Sequence, residues 1–500
     1  MEILTLLNAV VFGLLGLIAG VIVGALPGLN AALGIAILLP FTFGMEPSVA
    51  LIFLGAIFTG GVYGGAITAI LINVPGAPSN IATCFDGYPM TKKGLAQEAI
   101  NYATIAHAIG GVFGIVSLML FAPLLASWAL KFGPAESFWT YIFGLTIVAS
   151  ISSGMLIKGL IACAFGLLLS MAGLSPVSGA TRFAFGIPEL ASGIDLLPAL
   201  IGFFGFAEAV VLLEGAQKIP KVNYTEHGGA FTRVLSDMVR RMYKLVAGSA
   251  LVGLIVGLLP GAGASIAAIL AYAEAKSFSA KRKEFGTGIP EGVVAPEAAN
   301  SACVGGDLIP TLTLGIPGSA AAAVMVGGLI VHGMTPGPSL FTTHATVMYN
   351  FIGGIFIAQL LLIPVGVVGA SLAARALVIR PAYLAGAIMA MSLFGAFAAT
   401  GHMFGVLVML FCGAIGYAFK KLDVPVGPAI LGLILGKGIE ESFMTSLQLG
   451  DATGSIFAFF FTRPIAMVLI VLCIVSFVAS VLIELKISKE TRKDVVDVTE

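Results

Sequence analysis

Asp307 stands in the run ACVGGDLIPTLTLGIPG, the most apolar surroundings of any acidic residue in the chain. A carboxylate in such surroundings is expensive and marks a pathway, a cation site or a buried pair. Coupling to a cation or a proton is therefore one reading of Asp307, and a hydrogen bond to a broken helix end is the other. Four boxes of Pro-Gly type bear on it. The first is Gly24-Ala25-Leu26-Pro27-Gly28-Leu29-Asn30, and its counterpart is Leu259-Pro260-Gly261-Ala262-Gly263-Ala264-Ser265. The second is Asn73-Val74-Pro75-Gly76-Ala77-Pro78-Ser79-Asn80, and its counterpart is Gly315-Ile316-Pro317-Gly318-Ser319-Ala320. Proline lacks an amide hydrogen and glycine accepts unusual backbone angles, so a helix is predicted to stop at each box.

A helix interrupted inside hydrocarbon strands backbone dipoles that protein, water or a ligand must satisfy. Helix N-termini meet anions, and C-terminal carbonyls meet cations. Asn30, Asn73, Ser79, Asn80, Ser265 and Ser319 add neutral hydrogen-bonding groups, and no Lys or Arg lies in any of the four boxes. An anion bound there would be held by amide hydrogens, hydroxyls and a bound cation. A plain Pro/Gly kink for helix packing is the competing reading, and repetition of the boxes weighs against it. Glu297 and Asn300 lie close together in PEAANSA. They share a face if helical and suit a site wall or gate as well as a helix cap. His332, in HGMTPGP, is a further gating or wall candidate. His107, His344 and His402 are scattered without metal-ligand spacing, and Glu208 and Glu214 read as interfacial.

The elements that must carry these residues are membrane elements. Of 500 residues, 58% are hydrophobic and 10% are charged. A soluble surface needs about 25% charge. Apolar segments recur from residue 4 to residue 485, and a full span takes about 20 residues. Segments 29–43, 243–259 and 262–273 are too short to cross alone, and 303–331 carries the Pro317 box within it. Basic residues flank the Pro260 box on both sides, at Arg240, Arg241 and Lys244 and at Lys276, Lys281, Arg282 and Lys283. The positive-inside rule then makes it a re-entrant hairpin whose tip lies near the midplane; two Gly-rich spans are the alternative. The early charge is Glu2. The first apolar element therefore reads as a retained segment rather than a cleaved signal.

The boxes also define an internal repeat. Gly20, Gly24, Pro27 and Gly28 recur as Gly253, Gly257, Pro260 and Gly261, all at one constant offset. Pro75-Gly76 recurs as Pro317-Gly318 and Gly110-Gly111 as Gly353-Gly354, in the same order and at a slightly larger offset. The expected organisation is a first membrane half over 1–217, a cytosolic connector over 218–242 with a short amphipathic helix, a second membrane half over 243–485 and a cytosolic tail over 486–500. The extra residues of the second half fall in a polar loop predicted over 274–302. Such duplication is the usual build of a secondary transporter, with the solute where the repeats meet. The fold class is all-α and polytopic, with two homologous halves, interrupted helices and re-entrant hairpins.

Lys+Arg and Asp+Glu both number 25. No basic face therefore speaks for nucleic acid. No phosphate-binding loop of Walker type, GxSxG or HExxH is present, and the reading is not an enzyme. The five cysteines are widely spaced and read as small apolar residues. A solute transporter, a passive anion channel and a membrane-embedded non-transport protein are the classes weighed.

ALPGLN at 25–30, NVPGAPSN at 73–80, LLPGAGAS at 258–265, PEAANSA at 296–302, GIPGSAAAA at 315–323 and HGMTPGP at 332–338 occur in this order. Together they resemble the large permease subunit of the tripartite tricarboxylate transporters, the TctA family, from about residue 15 to 460. The resemblance implies a multi-pass permease of the bacterial inner membrane, driven by an ion gradient, for tricarboxylates or other small carboxylates. It implies two partners, a membrane subunit of about four spans and a periplasmic solute-binding protein, and leaves open a homodimer. It implies no cofactor, with Na⁺ or H⁺ as coupling ion. A distant relation to the ion-transporter superfamily implies interrupted elements at Pro27, Pro75, Pro260 and Pro317, with Na⁺ near Asn30, Asn80, Gly263 or Ser319. Asn30 stands opposite Gly263 in the repeat, so two equivalent ion sites do not follow.

Overall fold

Helix-forming runs in this chain are punctuated by Gly and Pro, and the architecture follows that punctuation. The computed structural model describes residues 3–26, 28–150, 156–175, 178–214, 230–261, 263–376, 381–478 and 481. Pro27, Ala262, most of the expected connector loop and the expected tail 486–500 lie outside the described residues.

Helix α1 (Ile3–Gly24) stops at the first box, and α2 (Ala31–Leu38) restarts beyond it. Then come α3 (Pro47–Ile72), a 3-10 turn at Pro78–Asn80, α4 (Ile81–Lys92) and α5 (Ala96–Ala129). The chain continues with α6 (Pro134–Ser150), α7 (Leu156–Ser170) and a hairpin pairing Gly173–Leu174 with Thr181–Arg182. A π-helical turn, Ile201–Phe206, joins α8 (Leu196–Leu200) to α9 (Ala207–Glu214). Next are α10 (Ala230–Arg241), α11 (Tyr243–Gly257), α12 (Gly263–Phe278), α13 (Glu291–Leu314) and α14 (Ala320–Val331). Helices α15 (Ala345–Ala376), α16 (Pro381–Thr400), α17 (Met403–Lys421), α18 (Val426–Ala452), α19 (Ile456–Phe461) and α20 (Pro464–Val478) complete it. Among the described residues, six stretches are long and apolar enough to cross a bilayer: 47–72, 96–129, 196–214, 345–369, 382–400 and 403–421. The chain is an all-α, multi-pass membrane protein.

Two compact units result. One comprises Met1–Ala126 with Phe204–Ala399, and the other comprises Ser127–Phe203 with Thr400–Glu500. Both draw on the first and the second half of the sequence, so these units are a different division from the halves 1–217 and 243–485.

In the first unit, glycines replace hydrophobic pressure as the device that brings helices together, as lipid-solvated helices require. A Cβ on Gly20 would strike the Ile57 carbonyl, and one on Gly24 would strike that of Gly61, so α1 lies backbone to backbone on α3. Gly253 and Gly257 meet the Ala299 and Cys303 carbonyls in the same way, which sets α11 on α13. The second pair of helices thus repeats the first in the register of the sequence repeat. The halves also cross. Gly110 and Gly114 of α5 press on Ala298 and Ala302 of α13, while Phe351 and Ile355 of α15 press on Gly55 of α3. Helix α14 packs on α2, and α12 packs on the turn at Pro78–Asn80 and on α4.

One boundary differs from the sequence reading. The polar loop predicted over 274–302 is confined to 279–290, because α12 runs to Phe278 and α13 already starts at Glu291. Ala295, Ala298, Ala299 and Ala302 make that stretch thin enough to bury, so its polar residues are carried inside on a helix. The apolar segment 303–331 is two helices separated at Gly315–Ser319, so it is interrupted at its Pro317 box as expected. The amphipathic connector helix is α10; it turns Val234 and Met238 into the core, and its Asp237 accepts the Tyr102 hydroxyl at 2.9 Å. Helix α11 has 15 residues. It is therefore about 22 Å long, short of a ~30 Å hydrocarbon core.

In the second unit, α18 packs on α6 and α7, again through glycine: Gly166 abuts the Ala429 carbonyl and Gly432 that of Cys163. Arg463 closes on the nearly buried Glu136 at 2.6 Å, and Arg182 of the hairpin closes on Glu440 of α18 at 2.6 Å.

Candidate functional site

Each of the four boxes interrupts a helix, though the break does not fall on the proline. α3 ends at Asn73 with φ 58°, and α13 ends at Gly315 with φ 72°, in each case just before the proline, Pro75 or Pro317. The left-handed residue turns the chain out of the helix, and the proline then keeps its predecessor extended. Asn is one of the few side chains tolerated at such an angle, which accounts for Asn73 as a terminator. Its side chain is exposed. Proline by itself is no breaker here, since Pro296 and Pro310 lie within α13.

Within each half the two breaks touch. In the first, a Cβ on Gly76 would strike the Gly24 carbonyl oxygen, and the Gly76 amide points at the Gly65 carbonyl at 3.4 Å. In the second, the Gly261 amide donates to the Gly318 carbonyl at 2.8 Å. A Cβ on Gly318 would strike Asp307 Oδ1 and lie 3.2 Å from the Gly257 carbonyl oxygen. A small cradle beside Gly318 is thus lined by one carboxylate oxygen and one helix-terminal carbonyl. Its counterpart in the first half is lined by the Gly24 carbonyl and by Asn80 Oδ1, which lies against Gly65. Gly65 is the repeat equivalent of Asp307. The two cradles each set a Pro-Gly-box glycine against a helix-terminal carbonyl, and they differ in that one holds a carboxyl group and the other a carboxamide.

The polar face of α13 connects this geometry to the other half. Glu297, Asn300 and Asp307 fall on one side of the helix, the last two separated by two turns or about 10 Å. All three are buried. Glu297 Oε1 accepts from Thr83 Oγ1 at 2.5 Å and from Asn80 Nδ2 at 3.4 Å, and Oε2 lies 3.1 Å from His107 Nδ1. Every one of those partners comes from the first half, so Glu297 is the acceptor at which the halves join. Around it, several buried polar atoms have no hydrogen-bond partner among the described residues: both side-chain amide atoms of Asn300, Asn80 Oδ1, Asp307 Oδ1, His107 Nε2 and Gln359 Oε1. Buried polar groups are nearly always satisfied, and leaving one bare costs roughly 1–3 kcal/mol. Their accumulation on and around α13 makes this face the candidate site.

Other residues singled out from sequence take different places. Asn30 Oδ1 accepts the Leu33 amide at 3.0 Å and caps α2; Ser319 Oγ accepts the Ala322 amide at 3.2 Å and caps α14, and its hydroxyl stays at the cradle, hydrogen-bonded to Asp307. Gly263, at φ 62°, opens α12, with half-buried Ser265 in its first turn. Ser79 is buried in the turn before α4, and Pro260 is buried. Exposed Gly28 faces Glu208, whose carboxylate would lie 3.5 Å from a Cβ there, so Glu208 stands beside the first box. Pro27 lies outside the described residues. Glu297 and Asn300 are interior helix residues, not caps. His332 closes α14 at the end opposite Ser319, with its Nε2 3.0 Å from Thr42 Oγ1, so it is remote from the cradle.

Two buried groups escaped the sequence reading. His107 gave no signal, because its partner is 190 residues away. Asp86 is the second: its carboxylate accepts the amides of Gly286, Gly288 and Ile289 and the Tyr272 hydroxyl, at 2.7–3.1 Å, and pins the 279–290 loop to α4. Its signal was local, a carboxylate in the apolar first turns of a helix.

The family described as Tripartite tricarboxylate transporter TctA family matches residues 10–431. An uncharacterized 52.8 kDa protein in the TAR-I ttuC' 3'region of Agrobacterium vitis is 33% identical over 498 residues, covering 98% of this chain and 96% of its own. An uncharacterized protein in the TAR-II ttuC' 3'region of the same organism is 33% identical over 232 residues, 46% of this chain and 94% of its own. No solved structure matches the chain.

Proposed function

The chain belongs to the tripartite tricarboxylate transporter TctA family, and from that premise we propose that it is the large permease subunit of a binding-protein-dependent system for tricarboxylates or other small carboxylates. In this reading it resides in a bacterial inner membrane beside a small membrane subunit, receives solute from a periplasmic binding protein, and is driven by a Na⁺ or H⁺ gradient.

The observation that carries the reading is the set of unpartnered polar atoms along α13 next to the interrupted helices. Solute carboxylates would meet the Asn300 amide and the stranded backbone N–H groups, because no Lys or Arg lies in the boxes. The coupling cation would enter the cradle beside Gly318, where Asp307 Oδ1 supplies negative charge and the Gly257 carbonyl a second oxygen. A proton on Asp307 would do the same electrostatic work. Dipoles fixed in a dry interior act strongly, so neutral donors suffice to hold an anion once a cation is bound nearby. The first-half cradle, with Asn80 in place of a carboxylate, has no charge to hold a cation tightly. One cation site, in the second half, is the outcome.

The test is uptake of radiolabelled citrate and related acids into proteoliposomes holding the three-component complex. Wild type accumulates solute until the Na⁺ and H⁺ gradients are collapsed. Asp307→Asn remains folded and still exchanges solute, but no longer accumulates it. Accumulation that survives both the substitution and the ionophores would reject this assignment.

A further inference from the structure

A second polar cavity lies away from the interrupted helices. It measures about 500 Å³ and is bounded by α10, α11, α12 and the first residue of α13. Arg241 and Lys244 form one side, Glu274 faces from α12, and Glu291 stands at the rim. Glu291 is already held by Lys281 at 2.8 Å. Arg241 uses Nε toward Asp237, at 3.4 Å. A guanidinium has five N–H donors, so its terminal groups are left for another acceptor. With Arg241 paired to Asp237 and Glu291 to Lys281, the uncompensated charges that face this cavity are one cation, Lys244, and one carboxylate, Glu274, with spare Arg241 N–H donors beside the cation. That is the pattern of a zwitterion.

What continues from the cavity is apolar. Gly248 leaves open space beside it, and beyond it Leu251 and Ile255 are half exposed on the same face of α11. From Lys244 to Ile255 this stripe is about 16 Å long, close to one leaflet of a ~30 Å hydrocarbon core. Phe278 at the mouth is 85% exposed. It stands at the level of the basic groups, where aromatic side chains gather at membrane surfaces.

We propose that this cavity binds a phospholipid whose headgroup carries both a phosphodiester and a primary ammonium, that is, phosphatidylethanolamine. Arg241 and Lys244 take the phosphate, Glu274 takes the ammonium, and an acyl chain lies along Gly248, Leu251 and Ile255. A purely anionic headgroup would set its charge against Glu274 without compensation. A choline headgroup has no N–H to donate.

The experiment uses the full-length protein in detergent, with dioleoyl phosphatidylethanolamine, phosphatidylcholine or phosphatidylglycerol added at equal mole fraction, and inorganic phosphate as a further arm. Thermal unfolding and native mass spectrometry read stabilisation and bound lipid. Phosphatidylethanolamine is expected to be retained about fivefold over phosphatidylcholine, the size of one partly desolvated ion pair, and to give the largest rise in Tm. Glu274→Gln abolishes that preference, and Lys244→Gln with Arg241→Gln lowers retention of every lipid. Both sets lie on the exposed rim, and their unfolding in lipid-free detergent should match wild type. Equal retention of the three lipids, a preference for phosphatidylglycerol, the full shift with phosphate alone, or an unchanged preference in Glu274→Gln overturns the proposal. None of these readouts depends on transport.

Discussion

Glu297 illustrates how much one buried acceptor can decide. It lies in the second half, takes its three donors from the first, and is fully buried with them. Removing one member of such a buried set leaves the others uncompensated, which typically costs about 3–5 kcal/mol. Glu297→Ala is accordingly expected to lower the thermal stability of the purified protein sharply, measured by unfolding in detergent. Glycine is equally decisive at Gly318, where a methyl group would enter the cradle against Asp307 and the Gly257 carbonyl. Gly318→Ala should abolish solute accumulation, whereas Gly353→Ala, which meets nothing within 4 Å, should leave uptake at the wild-type level. If the two variants transport alike, the cradle has no part in the cycle.

At the scale of elements, the boxes act in pairs. A helix end, a left-handed terminator and a proline recur in both halves, and glycine lets the two broken ends of each half lie against one another. Elsewhere, an element is held by charge. The hairpin Thr181–Arg182 is tied to α18 by Arg182 and Ser175, whose hydrogen bonds hold the Glu440 carboxyl below the usual carboxylate range. A depressed folded-state pKa means that this tie is fully present above the ordinary carboxylate pKa of about 4.3 and disappears as pH falls through the folded value. Hydrogen-exchange protection over 171–195, taken relative to the intrinsic rate at each pH, should therefore fall as the pH is lowered below about 4.3. Arg182→Ala should show the reduced protection already at neutral pH.

At the scale of the molecule, the halves of the sequence are not separable bodies. In the first compact unit α5 packs on α13, α15 on α3, and α12 on α4, so each half completes the other's packing. Residues 1–217 expressed alone should fail to give a monodisperse protein. Co-expressed with 218–500 as a second chain, they should co-purify as a stable complex. Independent folding of either half would contradict the crossed packing.

The sequence by itself determined the solvent, the fold class, the family and the four places where a helix stops. These are local properties. Hydropathy is read within about 20 residues, and Pro-Gly chemistry acts within a few. The repeat was legible for the same reason, because each box carries its own punctuation. Tertiary structure alone decided what those residues meet. Asn30 and Ser319 cap helices, Asn73 ends one, Glu208 stands beside Gly28, and Glu297 closes on His107 and Thr83. The partners of a buried polar group are set by which helices lie against each other, and that depends on the whole chain finding close contact along its glycine faces. Alanines around 295–302 could be read as loop or as thin helix, and only burial between α4, α5 and α11 resolves that choice in favour of α13.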